Sequence, residues 1–472
     1  MLDAAASTIM DWFASTSSAS VPAPDATEHP ILQAAAELAD AADSDDAEIC
    51  SAGIRALFAG VVEPLNDGFT PAGREVYGRV FGHVVWRCCA AHDDLRAALN
   101  DYGITSEAEL LARYQRVRHV SRPVERRPKR IVILSRVTIG ADVLLSTVLI
   151  QHLRACYPDA EIILYGDAKL SPLLGGFAGL RVVPLRYTRR GRLSERLRSW
   201  LALDRELREL SPDLVISPDS RIDQLGLLPL AEEEAYRLWE NTIPDGEASS
   251  LTTLLANWCS DTFGAAPACE PQLWFDAATT RLRDQLHQAF GSQPLMAVKL
   301  DHGGNPAKAL PREAEVQLLR ELRTQGWRIL IDRGFGEEEL ANSDALIAAA
   351  RLSVEDIDDS GNGLGRPVAE LDAGSLQDAS VIRFHGSIAG WSAALAECAG
   401  AVSYDSVGNH LAAALGVPLV AICTGHVDDR FPVAWAPRGS GRIDQVVVPS
   451  AQRDDPQQWV RVWAATAAIH PH

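Results

Sequence analysis

The chain has 472 residues, too many for one hydrophobic core, so its length predicts two or three domains. Hydrophobic residues make up 47% and charged residues 23%, the composition of an ordinary soluble globular protein. The 63 acidic residues outnumber the 44 Lys and Arg, and the net charge of -19 argues against nucleic-acid binding and against attraction to an anionic membrane.

The N-terminal quarter reads as helical. Residues 1–20 are rich in Ala and Ser, and we predict that they are loosely ordered. From about residue 30 to 115, apolar residues recur at spacings of three and four, which predicts amphipathic helices. The basic, proline-containing stretch 118–130 reads as a linker, either a solvated connector or a phosphate-facing surface. We therefore predict a helical N-terminal domain with its linker over 1–127.

The N-terminal region also bears on location and metals. The first twenty residues contain Asp3 and Asp11 but neither Lys nor Arg, so we expect no signal peptide, and we identify no apolar run as long as a membrane span. No CxxC pair occurs among the eight cysteines, which favours reduced thiols in the cytoplasm. Cys88, Cys89 and His92 carry metal-binding atoms, but no second ligand pair stands nearby, so we predict no metal site.

From Ile131 onward, short β-branched runs alternate with helical patterns. The first half contains four predicted strands: 131–135, 161–166, 181–185 and 213–217. The alternation restarts near Pro294 with five more, at 295–300, 328–334, 380–386, 401–405 and 418–425. This order predicts two α/β domains with parallel, doubly wound sheets, over 128–290 and 291–472. Ligands bind such sheets at the carboxyl ends of the strands, so we expect two Rossmann-like domains facing across a cleft.

Three stretches resemble the ADP-heptose heptosyltransferase family, glycosyltransferase family 9. RVTIGADVLLSTVLIQHLRACYPDAEI (136–162) resembles the opening of that family, and NPAKALP (305–311) resembles its phosphate-site lysine motif. The stretch 383–422 resembles its Asp-Ser/Thr-Gly-x-x-His motif and the helix that follows. The resemblance covers about residues 131–440 and leaves 1–127 outside.

The chain departs from the family pattern at three points. Gly140-Ala141-Asp142 stands where the family has Gly-Asp, Val407 occupies the usual glycine position, and Leu310 replaces an aromatic residue. The charged residues of the motifs are kept.

The resemblance implies the GT-B fold, with an acceptor domain at 128–290 and a nucleotide-sugar domain at 291–472. It also implies an inverting, metal-independent glycosyltransferase that moves a sugar, a heptose from an ADP-sugar, onto an acceptor hydroxyl. No cofactor is expected, because the nucleotide sugar is itself the substrate. Two alternatives stay open: a nucleotide-sugar epimerase or hydrolase of the same fold, and a catalytically silent binding protein.

Asp142 is the candidate general base, since it stands where the first strand of the α/β region meets its helix. An aspartate just before an apolar helix is also a good N-cap, and both interpretations are open. Lys308 follows the loop after the strand at 295–300, where a lysine can neutralise charge on the departing nucleotide without a metal ion. A solvated lysine explains the same position.

The predicted donor site groups residues that follow strands of the second α/β domain. The turn before the helix HLAAALG offers backbone N–H groups and the positive end of a helix dipole to a diphosphate. Asp405 there either contacts the donor or caps the helix. Gly303 and Gly304 permit a close approach of the backbone to a ligand, and Glu337 or Glu338 is the candidate partner of the ribose hydroxyls. The predicted donor-binding residues are Gly304, Lys308, Glu337, Asp405, Ser406, Val407, Gly408 and His410.

The acceptor site is predicted from polar residues of the first α/β domain: Arg136, Asp219 and Arg221. A basic cluster, Arg186, Arg189, Arg190 and Arg192, either suits an acidic acceptor or forms a solvated helix face. The acidic charge and the additional N-terminal region favour a soluble acceptor over lipopolysaccharide. Expected partners are thus a nucleotide sugar and an acceptor glycan, small metabolite or protein, with protein contacts also possible through the N-terminal helices.

Overall fold

A computed structural model describes residues 1–15, 29–119, 123–185, 187–188, 191–244, 247–301, 305–334, 336–426 and 428–469. The chain divides into two compact units. The first comprises Met1–Thr138, Leu149–Ala168 and Arg181–Pro267, and the second comprises Ile139–Val148, Lys169–Leu180 and Ala268–His472.

A series of helices fills the N-terminal part of the first unit. Their bounds are α1 Leu2–Ser15, α2 His29–Ala42, α3 Ala47–Leu57, α4 Glu63–Asp67, α5 Pro71–Ala91, α6 Asp93–Asn100 and α7 Glu107–His119, with a π-helical turn at Phe58–Val62. Local sequence sets where they begin. The Asp46 carboxylate accepts hydrogen bonds from the first turn of α3, and Thr70 caps α5, whose first residue is Pro71.

Helix α1 corrects one prediction. Residues 2–15 form a regular helix in which Ile9 is fully buried, although the Ala/Ser-rich composition suggested loose order. Residues 16–20 of that prediction lie outside the described part of the chain. A few apolar residues at helical spacing are thus enough to form a buried helix face, even though the residues around them are small and polar.

The first sheet has the strand order β3-β2-β1-β4-β5. Its strands are β1 Arg130–Leu134, β2 Glu161–Gly166, β3 Leu180–Pro184, β4 Leu214–Ser217 and β5 Tyr236–Leu238. The intervening helices are α8 Ile139–Ala141, α9 Thr147–Cys156, α10 Leu170–Leu174, α11 Leu193–Leu210 and α12 Leu251–Phe263, with a π-helical turn at Asp142–Ser146. β1 lies between β2 and β4, parallel to both, so the strand order reverses direction at β1 and β4.

The N-terminal helices and the first sheet share one hydrophobic core. Leu57 and Tyr77 from the helices belong to the same cluster of buried side chains as Val132 and Val215 from the sheet. We predicted separate domains over 1–127 and 128–290, whereas the structure joins most of both in one compact unit.

Residues Ile139–Cys156 form one continuous helical run that our sequence prediction overlooked as a candidate membrane span. By length and composition it could cross a membrane, with a mean hydropathy of 1.2 over 18 residues. Of this window, 72% is buried inside the protein. Such burial is typical of a core helix packed on a parallel sheet.

The second unit contains an eight-stranded sheet of order β13-β12-β11-β6-β7-β10-β8-β9. The strands are β6 Leu295–Lys299, β7 Arg328–Asp332, β8 Glu355–Asp358, β9 Arg366–Pro367, β10 Val381–His385, β11 Gly400–Tyr404, β12 Leu419–Cys423 and β13 Ile443–Val447. The helices are α13 Ala277–Phe290, α14 Arg312–Thr324, α15 Glu337–Ala350, α16 Ile388–Leu395, α17 Val407–Ala414, α18 Phe431–Ala434 and α19 Pro456–Ala467. β6 lies between β7 and β11, so the order reverses there, and a crevice is expected beyond the ends of β6 and β11.

Candidate functional site

The turn after β11 packs tightly against β6 and β11 and begins helix α17. Ser406 is the N-cap of α17, and its hydroxyl accepts a hydrogen bond from the Gly408 N–H at 3.4 Å. A Cβ atom on Gly408 would lie 2.6 Å from both the Lys299 Cδ and the Ser403 Oγ, so a larger residue does not fit there. The first backbone N–H groups of α17 have no acceptor within the helix and form the positive end of its dipole. This end of the helix is therefore suited to an anion.

Lys308 and Asp405 form an ion pair at the reversal of the strand order. The Lys308 ammonium donates to the Asp405 Oδ2 at 2.7 Å and to the Asp405 carbonyl oxygen at 3.2 Å. The ammonium also lies 5.2 Å from the centre of the Phe431 ring. Capping, one interpretation of Asp405, is wrong because Ser406 caps α17. The alternative of a freely solvated Lys308 is wrong as well, since its side chain is three-quarters buried and paired.

His410 is a neutral imidazole inside this site. It is 7% exposed, and burial, reinforced by the nearby Lys308 charge and opposed by Asp405, lowers its pKa to about 4. Within the described part of the chain, its Nδ1 has no hydrogen-bond partner. A neutral His410 can donate one hydrogen bond to a ligand oxygen but adds no positive charge.

Asp142 lies on a segment that packs against α17 within the second unit. A Cβ atom on Gly140 would lie 3.1 Å from the His410 Cδ2 and 3.5 Å from the Val407 Cα, so glycine allows the two helix starts to meet. Asp142 opens the π-helical turn, is 1% exposed, and accepts a hydrogen bond from the Ser146 hydroxyl at 2.7 Å. The N-cap interpretation is wrong because the helical run begins at Ile139. π-helical turns recur at functional sites.

The end of β12 adds residues that the sequence analysis missed. Gly425 has a φ of +69°, and a Cβ atom there would lie 2.2 Å from the Ala307 carbonyl oxygen and 2.8 Å from the Lys308 nitrogen. Its neighbours Thr424 and His426 hold a buried Oγ1 and Nδ1 without a hydrogen-bond partner among the described residues. Buried polar atoms of this kind are normally satisfied by water or a ligand. A Thr-Gly pair ending a predicted strand was the available signal.

Acidic residues that follow β6 and β7 line a cavity next to Lys308. A cavity of about 410 Å³ lies here, within the usual range for small-molecule sites. Among its lining residues are Asp301, Glu315, Asp332, Glu337 and Glu338. Carboxylates accept hydrogen bonds from hydroxyls and repel phosphates, so the lining suits the ribose and base of a nucleotide. Ala309 and Leu310, directly after Lys308, also line the cavity and connect it to the anion-binding groups.

Of the three glutamates at the start of α15, one caps the helix and two line the cavity. Glu339 accepts a hydrogen bond from the Gly336 N–H at 3.2 Å and caps the helix. Glu337 and Glu338 are exposed and line the cavity, and their contact with ribose hydroxyls stays a prediction. Gly303 and Gly304 lie outside the described residues.

Glu315 in the same cavity titrates near neutrality. Burial raises its pKa to about 7, although the Arg312 charge and the hydroxyl of Tyr404, 2.9 Å away, act in the opposite direction. Its ordinary pKa is 4.5, so between pH 4.5 and pH 7 Glu315 keeps its proton in the folded protein and loses it in the unfolded chain. Stability is therefore lost as the pH rises through this window.

We expect the Glu315→Gln variant to be more stable than the wild type at pH 8 by about 1–3 kcal/mol, because the amide carries no buried charge. The difference should shrink as the pH falls to about 4.5. Urea unfolding at several pH values measures it, with the exposed neighbour Glu313→Gln as control. A difference that does not change with pH would contradict the assignment.

The predicted acceptor residues lie in the first unit, and two of them pair with each other. The Asp219 side chain is fully buried and accepts a hydrogen bond from Arg74 at its Oδ1, while the Arg136 guanidinium lies 3.3 Å from its Oδ2. We expected Asp219 to present its carboxylate to an acceptor, but buried arginines enclose it instead. Arg221 is partly exposed.

Strained backbone marks the ends of β1 and β4 in the same unit. Val137 after β1 and Asp219 after β4 have φ values of 72° and 60°, and Gln224 and Leu225 follow at 54° and 58°. Such left-handed conformations are costly for β-branched and bulky residues and concentrate at functional sites. Of the predicted basic cluster, Arg186, Arg189 and Arg190 lie outside the described residues, and Arg192 forms ion pairs with Asp45 and Glu195.

No protein-family model and no curated protein sequence matches the chain. Solved structures do match. A glycosyl transferase family 9 protein from Veillonella parvula is 14% identical, with 74% of this chain and 98% of that chain covered at a TM-score of 0.52. E. coli heptosyltransferase WaaC with ADP is 17% identical, with 72% of this chain and 100% of that chain covered at a TM-score of 0.50. This likeness confirms the predicted fold, the two-sheet GT-B fold of these glycosyltransferases.

Proposed function

We propose that the protein is an inverting glycosyltransferase that moves a sugar from an ADP-sugar to an acceptor hydroxyl. The observation that carries the proposal is the group formed by Lys308, Asp405 and His410 at the start of α17, beside a carboxylate-lined cavity. It combines a cation and a helix N-terminus for a diphosphate with acceptors for ribose hydroxyls. The fold of glycosyltransferases supports the same activity.

In the proposed reaction, the acceptor oxygen attacks the anomeric carbon of the donor sugar from the face opposite the diphosphate. The carbon–oxygen bond to the diphosphate breaks, and the departing nucleotide keeps the electron pair. Asp142 takes the proton of the acceptor hydroxyl, as a general base must. Lys308 and the N-terminus of α17 stabilise the charge on the departing diphosphate, the task that a metal ion performs elsewhere.

We propose the partners and the location that the sequence analysis predicted. The acceptor is a glycan, a small metabolite or a protein, bound through residues of the first unit such as Arg221. The reaction requires no metal ion and no cofactor. We also propose a cytoplasmic location, in keeping with eight cysteines that stand as free thiols.

Donor binding gives the direct test. We expect ADP-heptose to bind the purified protein in calorimetry without added metal, with the same affinity in the presence of a chelator. The Lys308→Ala variant should bind about tenfold or more weakly, because a charged hydrogen bond to phosphate contributes about 1.5–3 kcal/mol. Lys169→Ala, an exposed lysine of the same unit, is the matched control.

The outcomes separate the competing functions. Failure of every nucleotide sugar in a panel to bind would overturn the transferase assignment and favour a binding protein. Binding followed by donor consumption without any acceptor would instead favour an epimerase or hydrolase.

A further inference from the structure

Three side chains with different metal-binding atoms meet in the helical part of the first unit. Asp43 lies in the turn after α2, Cys88 lies in the last turns of α5, and His92 caps the end of α5. One ligand atom from each lies within 4.8 Å of the other two. The His92 Nε2 and the Asp43 Oδ2 are 2.5 Å apart. The sequence analysis considered Cys88, Cys89 and His92 and predicted no metal site, whereas folding adds a carboxylate from the turn after α2.

We propose that Asp43, Cys88 and His92 bind a divalent transition-metal ion of the zinc type. Thiolate and imidazole ligands favour such ions over Mg²⁺ and Ca²⁺, which prefer oxygen ligands alone. With metal–ligand distances of about 2.0–2.3 Å, tetrahedral geometry sets ligand atoms about 3.3–3.8 Å apart. The Asp43–His92 pair must open, and the two distances that involve the Cys88 sulfur, which are at most 4.8 Å, must fall in this range; small side-chain rotations supply both changes.

The surroundings of the three ligands fit a coordinated ion. The second carboxylate oxygen of Asp43 accepts a hydrogen bond from the Ser194 N–H at 2.9 Å, the kind of contact that orients a metal ligand. Cys88 is 3% exposed, whereas the His92 side chain is 23% exposed. A pocket of about 550 Å³ reaches Asp43 and Cys88 and gives a water molecule access to the fourth coordination position.

The position of the site indicates a structural ion, separate from donor binding. The ligands belong to the first unit, whereas Lys308 and His410 belong to the second. Through the three ligands and Ser194, the ion joins the turn after α2, the end of α5 and the first turn of α11. An ion that binds the folded but not the unfolded chain adds its binding free energy to stability.

The test uses the full-length chain, stripped with a chelator and titrated with Co²⁺. We expect one Co²⁺ per chain with the visible bands of tetrahedral coordination and a near-ultraviolet thiolate-to-cobalt charge-transfer band. The Cys88→Ala variant should lose the charge-transfer band. Cys89→Ala should keep it, because Cys89 is equally buried beside Cys88 but is not among the three ligands.

Thermal unfolding with Zn²⁺ gives a second readout that does not depend on activity. The ion should raise the unfolding temperature of the wild type and of Cys89→Ala but not that of Cys88→Ala. If Cys88→Ala does not fold, His92→Ala takes its place, with an expected loss of Co²⁺ affinity of about tenfold or more. If the chain does not take up one Co²⁺ ion, or if both variants keep the wild-type spectrum, the three side chains form a hydrogen-bonded cluster only and the proposal is overturned.

Discussion

Replacing Asp142 with Asn is expected to lower the rate of sugar transfer by about 10²–10⁴-fold, the usual contribution of a general base. The amide has nearly the same shape as the carboxylate but cannot take the acceptor proton. Donor affinity should stay close to that of the wild type, because the diphosphate groups contact Lys308 and α17 in the proposed mechanism. Single-turnover transfer measurements and donor calorimetry on the same protein separate the two effects.

Ser146→Ala is the matched comparison for that experiment. Its hydroxyl holds the Asp142 Oδ1 at 2.7 Å, so its removal should affect only the orientation of the base. We expect a smaller loss of rate than for Asp142→Asn and no change in donor affinity. If Asp142→Asn transfers sugar as fast as the wild type, Asp142 is not the base and the proton acceptor must be sought elsewhere.

Arg74→Ala is expected to destabilise the first unit by about 3–5 kcal/mol, because it breaks a buried ion pair and leaves Arg136 as the one arginine beside the Asp219 carboxylate in the described part of the chain. The Arg74 guanidinium is 2% exposed, pairs with the fully buried Asp219, and donates to the Asn241 Oδ1 at 2.9 Å. These contacts join α5 to residues that follow β4 and β5. Urea unfolding followed by tryptophan fluorescence measures the loss.

Arg87→Ala provides a control on the same helix. Arg87 also pairs with an aspartate, Asp40, but the two side chains are 47% and 60% exposed. An exposed ion pair contributes about 0–1 kcal/mol, so this variant should unfold close to the wild type. Equal losses in the two variants would mean that burial of the Arg74 pair does not determine its contribution.

Much of the fold could be predicted because it depends on local patterns. β2 was predicted with its observed bounds, and β1 within one residue, since buried parallel strands are continuous apolar runs. We missed four strands: β5 has three residues, β9 has two, β8 reads EDID and β13 reads IDQVV. Each is too short or too polar to form a continuous apolar run, and pairing with a neighbouring strand fixes its extended form.

The candidate site was predictable residue by residue but not as contacts. Lys308 and Asp405 were singled out separately, yet their ion pair joins residues 97 positions apart. Helix capping by Ser406 rather than Asp405 depends on backbone angles at the turn. The enclosure of Asp219 by Arg74 was beyond prediction, because an arginine 145 residues away supplies the partner. Sequence patterns indicate which strand end a side chain follows but not which distant group neutralises it.

The core shared by the N-terminal helices and the first sheet has a consequence for synthesis of the protein. Arg74 leaves the ribosome 145 residues before Asp219, the carboxylate with which it pairs. At about 5–20 residues per second, that interval lasts roughly 7–30 s. During it, the apolar side chains of the helices that face the sheet lack the partners that β4 supplies, such as Val215. We therefore expect the nascent helical segment to expose apolar surface until the sheet is complete, which is the surface that chaperones bind.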